Sequence, residues 1–114
     1  MADNIFTKII AKQIPAKIVY EDDLVLAFRD IKPAAPIHVL IVPKREIINV
    51  TVARTEDENL LGHLLTVAAE IARREGVSDT GYRLVINNGR DAGQLVPHLH
   101  VHLLGGRDLG WPPG

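Results

Sequence analysis

The chain contains no cysteine, which excludes disulfides and thiolate metal sites. Aromatic residues are few, only Phe6, Tyr20, Phe28, Tyr82 and Trp111, so a core built on stacked rings is excluded. Neither sign of charge dominates: 13 Lys and Arg against 14 Asp and Glu give a formal net charge of −1. Nothing in that balance attracts a polyanion, so nucleic acid is not an expected partner. No apolar run is long enough to span a membrane, and the start of the chain lacks the apolar stretch of a secretory signal. A soluble protein of the reducing cytoplasm is the expectation.

The 114 residues, 46% of them hydrophobic, are enough for a single domain, 1–114, with a modest core. Apolar residues at Ile5, Phe6, Ile9, Ile10 and Ile14 predict a helix over 4–14, capped by Asp3 or Asn4 and ended by Pro15. Residues 17–21 and 24–29 read as strands joined at Asp22-Asp23, a hairpin. A third strand is predicted over 37–42, with His38 inside it. Thr55-Glu56-Asp57-Glu58 reads as a capping box with Thr55 as N-cap, opening a long helix that Gly76 stops. That helix carries too wide an apolar arc for one sheet-facing stripe, and a second copy of itself is the natural cover. Residues 82–87 form another expected strand, followed by the glycine-bearing loop 88–94. The order predicts an α+β domain with one largely antiparallel sheet.

The chemistry concentrates in His98-Leu99-His100-Val101-His102-Leu103-Leu104. Strict alternation predicts a strand over 98–104 with three imidazoles on one face and aliphatic anchors on the other. Imidazole titrates near neutrality and can serve as base, nucleophile or acid. Three readings are open. A zinc site is one, although His98 and His102 sit about 13 Å apart on a flat strand, so all three meet one ion only if the strand bends or His38 replaces one. A plain polar face without a task is the second. In the third, catalytic reading, one neutral ring attacks phosphorus while a neighbour holds an oxygen or moves a proton. Gly93 then allows close backbone approach, and amides from about Gln94 to Val96 form an anion nest. His63, alone on the long helix, reads as a surface or interface residue. Trp111, within Gly110-Trp111-Pro112-Pro113-Gly114, must either dock or stay exposed, and a neighbouring subunit is the more interesting place to dock.

The histidine run matches the His-φ-His-φ-His-φ-φ pattern of the histidine-triad (HIT) superfamily. Further segments resemble its Hint branch: Ile5-Phe6-Thr7-Lys8-Ile9-Ile10, Tyr20-Glu21-Asp22-Asp23, Ala27-Phe28-Arg29-Asp30-Ile31, Ala35-Pro36-Ile37-His38, Leu60-Leu61-Gly62-His63 and Leu104-Gly105-Gly106-Arg107. The resemblance implies a HIT-like fold, with an N-terminal helix, one long helix and a five-stranded sheet that a homodimer extends to ten strands. It implies a tail, 105–114, that crosses to the dimer partner. It implies purine nucleoside phosphoramidase activity: hydrolysis of the P–N bond of adenosine 5′-phosphoramidates of the AMP–lysine type, releasing AMP, with neither metal nor cofactor.

Carried over by position, His100 is the nucleophile that forms a nucleotidyl-histidine. His102 binds phosphate and handles protons, and His98 and His38 orient and tune the site. Asn87, Gly93, Gln94 and the Val96 backbone fall at the phosphate, Asp30 at the ribose hydroxyls, and Ile5, Phe6, Ile9, Phe28 and Ile31 around the purine. Two positions depart from the family: Leu95 where several members carry a polar residue, and Pro97 where tyrosine is common. The alternatives are a dinucleoside polyphosphate hydrolase of the Fhit type, a nucleotide sensor or scaffold with incidental hydrolysis, and a zinc-binding regulator.

Overall fold

The computed structural model describes residues 3–114. The order is α1 (Ile5–Ile10), β1 (Ile18–Glu21), β2 (Val25–Arg29), β3 (Ile37–Pro43), α2 (Glu58–Arg74), β4 (Tyr82–Val85) and β5 (Val101–Gly105), with short 3-10 turns between. The five strands form one sheet in the order β1-β2-β3-β5-β4, and all four pairings are antiparallel. The expected α+β architecture is therefore present.

Strand alternation divides the sheet into two faces with different fates. Val25 and Ala27, Val39 and Ile41, and Val101 and Leu103 face α2 and form the main core with Leu64, Val67, Ala68 and Ile71. The helical residues recur at three and four positions, so one stripe of α2 covers the sheet. Leu60 and Leu61 also pack against this core, so of the wide apolar arc only Leu65 stays about half exposed. The opposite face carries Leu26, Phe28, Leu40 and Val42, and the one helix on it is the six-residue α1, through Phe6 and Ile9, with Ile14, Ala16 and Val96 from the adjoining segments. His102 pairs with Leu40 in the β3–β5 register and so belongs to this sparsely covered face. The short helix leaves the histidines room.

Several local expectations shift. Asn4 caps α1, accepting from the amides of Phe6 and Thr7, but the helix ends at Ile10 rather than at Pro15. Lys12 takes a left-handed conformation (φ 62°), and Ile14 turns in to pack on the second core. The hairpin turn is held by Asp22, whose Oδ1 accepts from the amides of Leu24 and Val25. Thr55 does not cap α2: residues Thr55–Asp57 form a 3-10 turn and the helix begins at Glu58. The carboxylate that closes the turn is Asp57, which accepts from the Arg54 amide at 2.8 Å and pairs with Arg45. Gly76, at φ 75°, follows the helix as expected. β4 stops at Val85, two residues short of the predicted end.

The histidine strand is also shorter than its sequence pattern. β5 starts at Val101, so His98 and His100 precede it. Continuing the β3–β5 register would set Leu99 opposite Pro43, which has no amide to donate. The Leu99 amide instead donates to the Ile47 carbonyl at 2.7 Å. Alternation survives the loss of pairing, for Leu99, Val101 and Leu103 all enter the main core.

Candidate active site

Each histidine is held by a partner that fixes which ring nitrogen carries the proton. His100 Nδ1 donates to the His98 carbonyl at 2.7 Å, so the neutral ring keeps its lone pair on Nε2. His38 Nδ1 accepts from the Ala34 amide at 3.0 Å, which leaves the His38 proton on Nε2. That nitrogen lies 2.9 Å from His102 Nδ1, so His38 donates and the neutral His102 carries its own proton on Nε2. His98 Nε2 donates to the Pro43 carbonyl at 2.8 Å. The resting site thus holds a bare imidazole nitrogen on His100 beside an N–H donor on His102, their ring centroids 5.0 Å apart. Those are the two functions a phosphorus-directed nucleophile and its neighbour require.

Burial favours the neutral form of His38, His100 and His102. Burial pulls His102 down to about 4, aided by repulsion from His100 and His38. Burial lowers His100 as well, outweighing the hydrogen bond to the His98 carbonyl that favours its charged form. His38 is lowered by burial against the opposing pull of Asp30. A nucleophilic nitrogen is therefore available throughout the neutral range.

His100 and His102 open into a cavity of about 590 Å3 that crosses the sheet. Ile5, Phe6, Ile9, Phe28 and Ile31 line one part, Asp30 follows, and Asn87, Gly93, Leu95 and Val96 line the rest. Phe6 meets Phe28 edge-on at 5.5 Å and His100 at 4.9 Å, which joins the apolar slot to the nucleophile. Ile31 is 87% exposed, an unpacked apolar side chain at the rim of the slot. The structure thus brings together eleven of the predicted residues. Leu40, Ile14, Pro15, Ala16 and Arg29 also line the cavity. The sequence reading missed these five, since only the bend after α1 and the β2–β3 register bring them there.

Three predicted residues do not line it. His98 is buried with its ring 6.2 Å from Phe6, and it acts on the site through the carbonyl that holds His100. His38 reaches the site through His102. Gln94 is turned into its own loop: Oε1 accepts from the Gly89 amide, and Nε2 donates to the carbonyls of Ile48 and Val96. The Gln94 amide is likewise taken by the Gly89 carbonyl at 3.0 Å, which removes it from the predicted nest. Gly93, at φ 77°, makes the turn that this arrangement needs.

The zinc reading changes membership. Among the described residues the one cluster with metal-ligand potential is Asp30, His38 and His102, whose ligand atoms lie within 4.8 Å of one another. The His38–His102 separation of 2.9 Å is that of a direct hydrogen bond. Two nitrogens sharing a tetrahedral zinc at 2.0–2.1 Å stand about 3.3 Å apart. The pair is arranged for proton placement.

His63 is not a bare surface group. Its Nε2 lies 2.6 Å from Asp22 Oδ2, which also accepts from the Tyr20 hydroxyl at 2.7 Å, tying α2 to the β1–β2 hairpin. The tail is fastened to its own chain by Arg83, which donates to the carbonyls of Leu109 and Gly110, while Trp111 is 82% exposed.

An antiparallel α+β sheet with histidines on its thinly covered face defines a class of small histidine-centred domain. Residues 11–109 match the HIT domain family, and the chain belongs to it. It is 59% identical over 112 residues to an uncharacterized HIT-like protein of Synechococcus elongatus, covering 98% of this chain and 97% of that one. Its fold matches the crystal structure of a HIT family hydrolase from Legionella pneumophila (TM-score 0.96, 48% identity, covering 98% of this chain and 100% of the other). It also matches a histidine triad nucleotide-binding protein from Candida albicans (TM-score 0.80, 33% identity, covering 95% and 82%).

Proposed function

We propose that this chain is a purine nucleoside phosphoramidase of the Hint branch, cleaving the P–N bond of adenosine 5′-phosphoramidates. The observation that carries the reading is the His98 carbonyl on His100 Nδ1, which leaves Nε2 as a nucleophile at a cavity with an apolar slot and one carboxylate. The purine occupies the slot around Phe6 and Phe28, and Asp30 accepts from the ribose hydroxyls. His100 Nε2 attacks phosphorus, forming a P–N bond to histidine as the bond to the amine breaks. The amine needs one proton to leave. The substrate's phosphoryl anion raises the proton affinity of His102, which takes up a proton from solvent as the substrate binds and hands it to the amine, returning to its neutral form. Water then attacks phosphorus, the bond to His100 breaks, AMP departs and the water's proton is returned. As nucleophile adduct, His100 becomes cationic, and the His98 carbonyl stabilises that charge.

Relatives whose names specify a hydrolase and a nucleotide-binding protein support the reading. The position of β4 at an edge of the sheet and the half-exposed Leu65 support a homodimer with one ten-stranded sheet, and the exposed Trp111 supports a tail that contributes to the partner's site. The test is AMP release from an AMP–lysine phosphoramidate, with EDTA present, by the wild type and His100→Ala. Release by the wild type, lowered at least about 10³-fold in a variant that still binds AMP, is expected. Absence of release by a wild type that binds AMP would sink the enzyme reading in favour of nucleotide sensing.

A further inference from the structure

The cavity has a direction that the strand order fixes. Phe28 and Asp30 belong to β2 and its end, Leu40 to β3, His102 to β5, and Asn87 follows β4. In the sheet these strands stand in the order β2-β3-β5-β4. A nucleotide with its base on Phe28 and its ribose on Asp30 therefore sets phosphorus at the β5 histidines. Its leaving group points on toward Asn87, Gly93 and Leu95.

Leu95 is 92% exposed, although it stands between two residues that are firmly held. Gln94 is bonded inward to Gly89, Ile48 and Val96, and Val96 packs on the second core with Phe6 and Leu40. Their anchoring turns Leu95 outward, so its exposure is imposed by the loop. Among the described lining residues the only carboxylate is Asp30, at the other end. The cation nearest in sequence, Arg90, is paired with Asp91. Among the described lining residues this end thus offers the methyl groups of Leu95 and no carboxylate.

We infer that Leu95 is a specificity-determining residue that makes this end select amines bearing uncharged alkyl or aryl chains over amines bearing a second positive charge. The inference rests on the phosphoramidase reading. An alkyl chain gains by leaving water against Leu95, whereas an ammonium there loses hydration with nothing to replace it.

Two substrates of equal length isolate the effect: AMP joined to n-hexylamine, and AMP joined to one end of 1,6-diaminohexane. The wild type is expected to favour the hexylamine compound about tenfold in kcat/KM. Leu95→Ser should bring the ratio near one by slowing the hexylamine compound, and Leu95→Glu should invert it. Because the side chain is exposed, both variants retain the core. A wild-type ratio near one, or a ratio that Leu95→Ser leaves unchanged, overturns the inference while the phosphoramidase stands. Failure of the wild type to cleave either compound overturns the phosphoramidase reading and this inference with it.

Discussion

His38 Nε2 donates to His102 Nδ1 across 2.9 Å, and the amide of Ala34 on the far side of His38 makes that direction the one available to the neutral pair. A residue outside the cavity thereby decides which nitrogen of His102 faces the substrate. His38→Ala leaves His102 free to take either tautomer, so the donor is present only part of the time. The expected result is a fall in kcat of about 10- to 100-fold, a fraction of what general acid–base catalysis supplies. KM should change little, because the base slot and Asp30 are intact. His38→Asn, which keeps a donor, should recover part of the loss. An unchanged kcat in His38→Ala would show that His102 needs no such orientation.

The lowered histidines predict the shape of the pH profile. Attack requires the neutral form of His100, whose pKa lies below its ordinary 6.5. The acid limb of kcat/KM should therefore have its midpoint below 6.5, with a plateau from there to pH 8. A midpoint at or above 6.5 would contradict the burial argument. Stability follows the same groups. Unfolded histidines take up protons near 6.5, while His102 in the fold resists until about 4. Between those values the unfolded chain binds more protons, so stability falls as pH drops from 6.5 to 4. His102→Gln, followed by denaturant titration across that window, should show a shallower loss than the wild type.

The fold was legible where a pattern reports directly on burial. The Asp22-Asp23 turn and a continuous β-branched apolar run located β2 and β3, and the apolar spacing after residue 58 located α2. The triad was legible because Leu99, Val101 and Leu103 alternate with the histidines, and that alternation persists where strand pairing has ended. Distant partners were not legible. The Gln94 side chain is set by Ile48, 46 residues away, and His63 by Asp22, 41 residues away. Thr55 failed as a cap because Asp57, already bound to Arg45, captured the Arg54 amide. The length of α1 was overread because Ile14 is apolar for a different reason: it closes the second core and the cavity wall after the chain has left the helix.

Gly106 marks a backbone constraint next to the site. Its φ is 91°, and a Cβ there would come 2.9 Å from Pro36 Cβ. Gly106→Ala would both strain the backbone and press on the segment leading into His38. The expected cost is about 1–3 kcal/mol. For a domain of this size that lowers Tm by roughly 4–8 °C for each kcal/mol. Gly76→Ala is the control, since φ is 75° but nothing lies within 4 Å of the added Cβ. Thermal unfolding should rank Gly106→Ala below Gly76→Ala, and equal Tm values would show that Pro36 yields freely.

Gln94 joins three pieces of chain with one amide. Gly89 donates to its Oε1 at 3.0 Å, and its Nε2 donates to Ile48 at 2.7 Å and to Val96 at 3.1 Å. The loop that carries Gly93 and Leu95 is thus pinned to the 44–54 segment by a side chain that does not line the cavity. Gln94→Ala removes these three bonds and the longer one that Oε1 accepts from Asn49 Nδ2 at 3.5 Å, and because the residue is partly exposed, water replaces some of them. The global cost is expected to be modest, about 1 kcal/mol. The local effect is larger: amide hydrogen exchange should accelerate over residues 88–96 and leave α2 unchanged. If the loop contributes phosphate-facing amides, the disorder should appear as a rise in KM of about 5- to 10-fold, an order-of-magnitude cost of ordering the loop on binding. Gln94→Glu discriminates the two roles, since it can still accept from Gly89 but cannot donate to Ile48 or Val96. Rates and exchange close to those of Gln94→Ala would assign the function to the donated bonds. Wild-type behaviour would assign it to the bonds that Oε1 accepts from Gly89 and Asn49.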